Sequence, residues 1–197
     1  MAKEYRQMLI DEETHREISG AKRLLETASG RRVSSREAIG EFLGRRMRFL
    51  VLDRHVRAYI NAFVGEAALD RRVLGLMLFG SVARNSFGDY SDIDVMVVVE
   101  GKALGSLDAV EAMIEGAEPF RKPLVAGGLH LRIRPFMVSR DELKRFRPIY
   151  INILEDGVIL FERGEIMFDF LNDIRQSVDY SKLVVGGSAA IRWKMRE

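Results

Sequence analysis

Residues 78–95 read LFGSVARNSFGDYSDIDV. Gly80 and Ser81 close an apolar run, and after ten intervening residues Asp92 and Asp94 flank Ile93, which gives the spacing G-S-x10-D-x-D. The run before the pair (RVLGLMLFG, 72–80) and the one that begins with the aspartates (DIDVMVVVEG, 92–101) have the length and apolar content of buried strands. The stretch is therefore expected to fold as a strand, a tight turn, a short helix over VARNSF, a loop and a second strand.

That order brings complementary chemistry together. Glycine lets the backbone approach a ligand, the first N–H groups of a helix lack internal acceptors, and a serine hydroxyl adds one more bond. Gly80 and Ser81 are thus candidate phosphate-binding residues. Side chains two apart on a strand share a face, so Asp92 and Asp94 point together while Ile93 enters the core. Two carboxylates facing a triphosphate suit Mg2+, which takes a few carboxylates, phosphate oxygens and water. Taken singly, the pieces are ordinary, because strands end in glycine, GDYSD is turn chemistry and D-x-D recurs by chance. Their joint order is what points to a site. Arg84 is a further candidate for phosphate, with a merely exposed helix arginine as the alternative.

Working outward, LGSLDAVEAMIEGAEPF (104–120) places Leu107, Val110, Met113 and Ile114 on one helical face, and LHLRIRPFMVS (129–139) reads as a third strand. The segment 139–180 predicts a helix, a turn EDG with Glu155 and Asp156 solvated, a short strand VILF and a last helix. Gly186-Gly187-Ser188 reads as a flexible turn before a basic tail. Upstream, a short extended stretch, Tyr5 to Ile10, precedes a helix with Ile18, Ala21, Leu25 and Ala28 on one face, stopped at Ser29-Gly30. Ser34-Ser35-Arg36-Glu37 is a capping box that opens a second helix, expected to run with a kink toward Phe63. The fold class is α+β: a small mixed β-sheet flanked by helices over residues 66–197, preceded by a helical N-terminal module over residues 1–65.

With 197 residues, 47% hydrophobic and 30% charged, the chain has the profile of a globular protein with a real core. It has no apolar run of membrane-spanning length and no secretion signal, so no membrane partner and a cytoplasmic location are expected. The absence of cysteine excludes disulfides and thiolate metal sites, and His15, His55 and His130 are scattered, which leaves carboxylates as the better metal ligands. Net charge is only +2, yet residues 1–65 carry 13 Lys/Arg against 9 Asp/Glu. That excess suits a polyanion partner or simply a solvated helical surface.

GSVARNSFGDYSDIDV resembles the signature of the DNA polymerase β nucleotidyltransferase superfamily. Its spacing is similar to that of the minimal nucleotidyltransferases that partner HEPN-type proteins in prokaryotic toxin–antitoxin pairs. The likeness runs from about Arg71 to Phe161 and includes INILEDGVILFE, which resembles the closing helix and strand of that family. It implies Mg2+-dependent transfer of a nucleoside monophosphate from a nucleoside triphosphate, ATP foremost, to a hydroxyl, with a HEPN-type protein as partner. Gly80 and Ser81 would grip the nucleotide, and Asp92 and Asp94 would be the catalytic metal ligands. The family's third carboxylate, on a later strand, has no counterpart here: that strand offers His130, Arg132 or Arg134, and Arg132, midway along it, is the first expected to face the aspartates. The departure implies slow transfer. It also keeps open an alternative, a catalytically weak or inactive nucleotide-binding antitoxin or DNA-binding regulator.

YRQMLIDEETHREI, followed by SSREAIGEFL, resembles the ribbon-helix-helix fold. That likeness implies a homo-oligomer whose paired strands enter DNA, with Gln7 reading bases and Arg31 and Arg32 near phosphates. A dimerisation arm or a helical flank of the second domain are the alternatives.

Overall fold

The computed structural model describes residues 52–101, 107–185 and 188–195, with Lys22, Glu26, Arg32 and Phe49. The chain divides into two compact units, Met1–Gly44 and Arg45–Glu197. The proposed recognition strand with Gln7, the capping box and Arg31 lie outside the described residues; Arg32 is exposed.

The second unit is built on a four-stranded sheet. Its strands are β1 (Val73–Phe79), β2 (Asp92–Val99), β3 (Arg132–Ser139) and β4 (Val158–Glu162), in the order β3-β2-β1-β4. β2 and β3 run parallel, while β1 is antiparallel to both β2 and β4. The sheet is therefore mixed, and with its helices the unit is α+β as expected from the sequence. Parallel neighbours need a crossover, and the helix Leu107–Ala126 supplies it between β2 and β3.

Five helices accompany these strands among the described residues, α1 (Arg54–Leu69), the four-residue α2 (Gly80–Ala83), α3 (Leu107–Ala126), α4 (Ile149–Asp156) and α5 (Ile166–Ser177). β1 and β2 are buried almost throughout, as strands covered on both faces must be. On one face Leu76, Leu78, Ile93, Val95, Val97 and Val99 form a core with Val56, Tyr59, Ile60 and Phe63 of α1 and Val110 and Met113 of α3. On the other face lie Met77, Met96 and Val98. There α5 comes so close that a Cβ on Gly75 would meet Met167 at 2.5 Å, and Tyr150 of α4 packs edge-on to Phe136 of β3 and to Phe170 of α5.

Three expectations are corrected. The helix expected to run on toward Phe63 begins afresh at Arg54, where the Asp53 carboxylate accepts the His55 and Val56 N–H groups as an N-cap, and it continues past Gly65 to Leu69. It packs on the sheet through Val56, Tyr59, Ile60 and Phe63. Glu155 and Asp156 close α4 instead of lying in a solvated turn, and Asp156 is only 4% exposed. Beyond α5 the chain forms an antiparallel pair, β5 (Val178–Val185) and β6 (Ser188–Met195), where a basic tail was expected, and the expected turn at Gly186-Gly187 lies outside the described residues.

Candidate active site

Ile93 fixes the site before any charge is considered. It is fully buried, and the period-two alternation of β2 then turns Asp92 and Asp94 to the opposite face, beyond Met96 and Val98. A one-residue slip would drive both carboxylates into the core, so burial of Ile93 and Val95 sets the register.

The same register brings the glycine-serine turn to the aspartates. Phe79, the last residue of β1, pairs with Asp94. Gly80 follows with φ +80°, a conformation that residues with a Cβ rarely adopt, and begins α2. A Cβ there would lie 2.6 Å from Oδ2 of Asp94, so glycine is required by both conformation and space. Ser81 is half-buried at the head of α2, and its carbonyl accepts the Ser86 N–H at 2.9 Å, closing the loop behind it.

Asp156 holds this turn from the other side. Its Oδ1 accepts the Gly80 N–H at 3.3 Å and its Oδ2 pairs with the Arg84 guanidinium. Arg84 keeps half of its side chain exposed. The arginine read from the sequence as a phosphate ligand thus spends one nitrogen on a buried carboxylate 72 residues away. No local signal in EDG marks that role, since the contact is made by the sheet.

On β3, Asp92 pairs in register with Arg132 and Asp94 with Arg134. The arginine that engages the carboxylates is Arg134, in place of the Arg132 expected first. Its Nη1 stands 3.0 Å from Asp92 Oδ2, while its Nη2 and Nε lie 2.8 and 2.9 Å from Asp94 Oδ1. The side chain is 67% exposed. Arg132 is exposed and forms no ion pair among the described residues. His130 stacks on Tyr90, with ring centroids 4.9 Å apart and planes 7° from parallel. Arg121 of α3 fixes the start of β3 by donating to the Leu131 carbonyl at 2.8 Å.

By donor chemistry, Asp92 and Asp94 fit a small hard cation such as Mg2+. Among the described residues no third His, Cys, Asp or Glu joins them. The place on β3 beside Asp94 belongs to a guanidinium that already offsets part of the pair's negative charge.

The chain matches the family described as nucleotidyltransferase domain over residues 60–160. No curated protein matches it. Among solved structures, a candidate nucleotidyltransferase from Sulfolobus solfataricus is 20% identical, covering 56% of this chain and 89% of its own, with a TM-score of 0.35. A toxin–antitoxin with AMP-PNP is 15% identical over 58% of this chain and 82% of its own, TM-score 0.38. A mutant of the toxin–antitoxin MntA-HpeT is 14% identical over 59% of this chain and 79% of its own, TM-score 0.35.

Proposed function

The chain belongs to the nucleotidyltransferase domain family, and from that membership we propose that it binds a nucleoside triphosphate, ATP foremost, at the Gly80-Ser81 turn and passes the nucleoside monophosphate to a hydroxyl. The observation that carries the reading is the contact between Gly80 and Asp94, which sets a backbone turn able to approach phosphate directly against the two carboxylates. The N–H groups of Ser81 and Val82 lie in the first turn of α2, where a helix supplies no acceptor, and would donate to phosphate oxygens, with the Ser81 hydroxyl as a further donor. Asp156 takes the Gly80 N–H and thereby orients the turn. Asp92 and Asp94 would hold a divalent cation, which when bound offsets the phosphate charge.

In the transfer, the acceptor oxygen bonds to the α-phosphorus while the bond to the bridging oxygen breaks, and pyrophosphate leaves with that electron pair. The acceptor proton must go to a base. At the β3 position beside Asp94 the chain has Arg134, which cannot take it. General-base assistance is worth about 10²–10⁴-fold, so transfer is expected to be slow. The same residue favours the second reading, a nucleotide-binding antitoxin or regulator with little turnover. The resemblance of G-S-x10-D-x-D to the minimal nucleotidyltransferases makes a HEPN-type protein the proposed acceptor and partner.

Incubating the full chain and such a partner with ATP labelled at the α-phosphate tests the first reading. Label on the partner that disappears with Asp92→Asn plus Asp94→Asn supports it; label that persists in the double variant contradicts it. For residues 1–65 we retain the proposal of self-association and DNA contact through Gln7, Arg31 and Arg32. Removing residues 1–10 should lower the mass measured by light scattering, and an unchanged mass would rule out the ribbon.

A further inference from the structure

We propose that Arg134 holds the metal-binding carboxylates closed in the nucleotide-free protein, so that a divalent cation enters between Asp92 and Asp94 only together with a nucleoside triphosphate that takes over the guanidinium. The inference rests on the nucleotide-binding reading above and adds to it an order and a coupling. Three nitrogens of one guanidinium are committed to two carboxylates: Nη1 to Asp92 at 3.0 Å, and Nη2 and Nε to Asp94 at 2.8 and 2.9 Å. Nε donates a charge-assisted hydrogen bond to Asp94 while the two Nη atoms stand at ion-pair distance, so one guanidinium charge sits between the two carboxylates. The oxygens it occupies, Asp92 Oδ2 and Asp94 Oδ1, are among those a cation would need.

The position of Arg134 comes from the backbone. Residue 134 sits in parallel register with Asp94, and Pro135 follows it, so the base of the side chain is fixed while its charged end is 67% exposed. Such a side chain can leave the carboxylates without disturbing the core, provided another anion receives it. A triphosphate on the neighbouring Gly80-Ser81 turn is that anion, since phosphate oxygens match the guanidinium fork as well as carboxylates do. Arg132, in register with Asp92 and of the same charge, makes no ion pair among the described residues and provides an internal control. Cation and guanidinium compete for the same oxygens, whereas cation and nucleotide assist each other, and the assistance is reciprocal by linkage.

The experiment measures Mn2+ binding to the full chain without nucleotide, by loss of the free-ion electron paramagnetic resonance signal, for wild type, Arg134→Ala and Arg132→Ala. Calorimetry then follows α,β-methylene-ATP binding to each at fixed Mn2+. Removing one adjacent positive charge should tighten Mn2+ binding about tenfold or more in Arg134→Ala. Arg132→Ala should stay near wild type. Nucleotide affinity should move the opposite way in Arg134→Ala and fall, a pairing of effects that a loss of folded structure would not produce. Equal Mn2+ affinity in wild type and Arg134→Ala, or an equal gain in Arg132→Ala, would overturn the proposal. Absence of nucleotide binding in every protein, with the Mn2+ difference intact, would overturn the functional reading while upholding the hold of Arg134 on the carboxylates.

Discussion

Gly80 and Asp94 approach so closely that a Cβ on residue 80 would lie 2.6 Å from the Oδ2 atom of Asp94. The sequence places them fourteen positions apart; the antiparallel pairing of Phe79 with Asp94 brings them together. Gly80→Ala would meet both the contact and the +80° backbone. We expect a stability loss of about 1–3 kcal/mol, the cost of holding a residue with a Cβ in a sparsely populated conformation. Nucleotide binding should fall further than stability does, because relief of the clash moves the turn or the carboxylate. Thermal unfolding and nucleotide titration of the same variant separate the two effects, and undiminished binding would show that the turn is not the phosphate site.

Arg84 and Asp156 test whether an arginine near the turn acts on phosphate or on the turn itself. If Arg84 acts by pairing with Asp156, Arg84→Ala and Asp156→Asn should each weaken nucleotide binding, and the double variant should be no worse than the poorer single one. Arg84→Ala should also cost stability, about 1–3 kcal/mol, because the buried Asp156 carboxylate loses a charged partner, and Asp156→Asn, which leaves only a half-exposed guanidinium behind, should cost less. If Arg84 serves phosphate alone, Asp156→Asn should leave nucleotide affinity unchanged. A double-mutant cycle read by calorimetry distinguishes the outcomes.

Glu142 gives a pH-dependent prediction away from the site. The Ser139 N–H donates to its carboxylate at 2.9 Å and Arg147 pairs with it at 3.1 Å. The backbone bond from Ser139 is the main cause that holds its pKa below the usual glutamate range, with Arg147 assisting. Because the folded-state pKa is depressed, the stability this group contributes is fully present above the pKa of an unfolded glutamate. It is lost as pH falls through the folded-state pKa. Glu142→Gln should therefore lower the melting temperature at neutral pH and converge on wild type in acid. The group is partly exposed, so the effect should not exceed about 1 kcal/mol. A difference that grows on acidification would contradict the assignment.

The parts of the fold that were legible in the sequence are those written in short-range pattern. β1 and β2 appear as apolar runs because both faces are covered, and Ile93 between two aspartates announces which side is core. Asp156 was not legible, because its burial depends on Gly80 and Arg84, more than seventy residues away, and E-D-G looks like an ordinary turn. Arg132 and Arg134 share a face of β3, so the pattern alone could not say which one reaches the aspartates; the parallel register with β2 and the reach of the Arg134 side chain decide it. Other misses were local. Asp53 ahead of Val56, Tyr59, Ile60 and Phe63 is an N-cap before an apolar stripe, and two glycines between VDYSKLVV and SAAIRWKM are a hairpin signal.

If the Gly80-Ser81 turn and the Asp92–Asp94 pair form one nucleotide site, metal and triphosphate depend on each other there. Calorimetric titration of the full chain with ATP, in Mg2+ and in EDTA, tests it most directly when repeated on Asp92→Asn plus Asp94→Asn. Saturable binding in Mg2+ that weakens in EDTA is expected for wild type, with loss of that metal-dependent gain in the double variant while its melting transition is retained. Equal affinity with and without Mg2+ in wild type, or a Mg2+ gain that survives in the double variant, would contradict it.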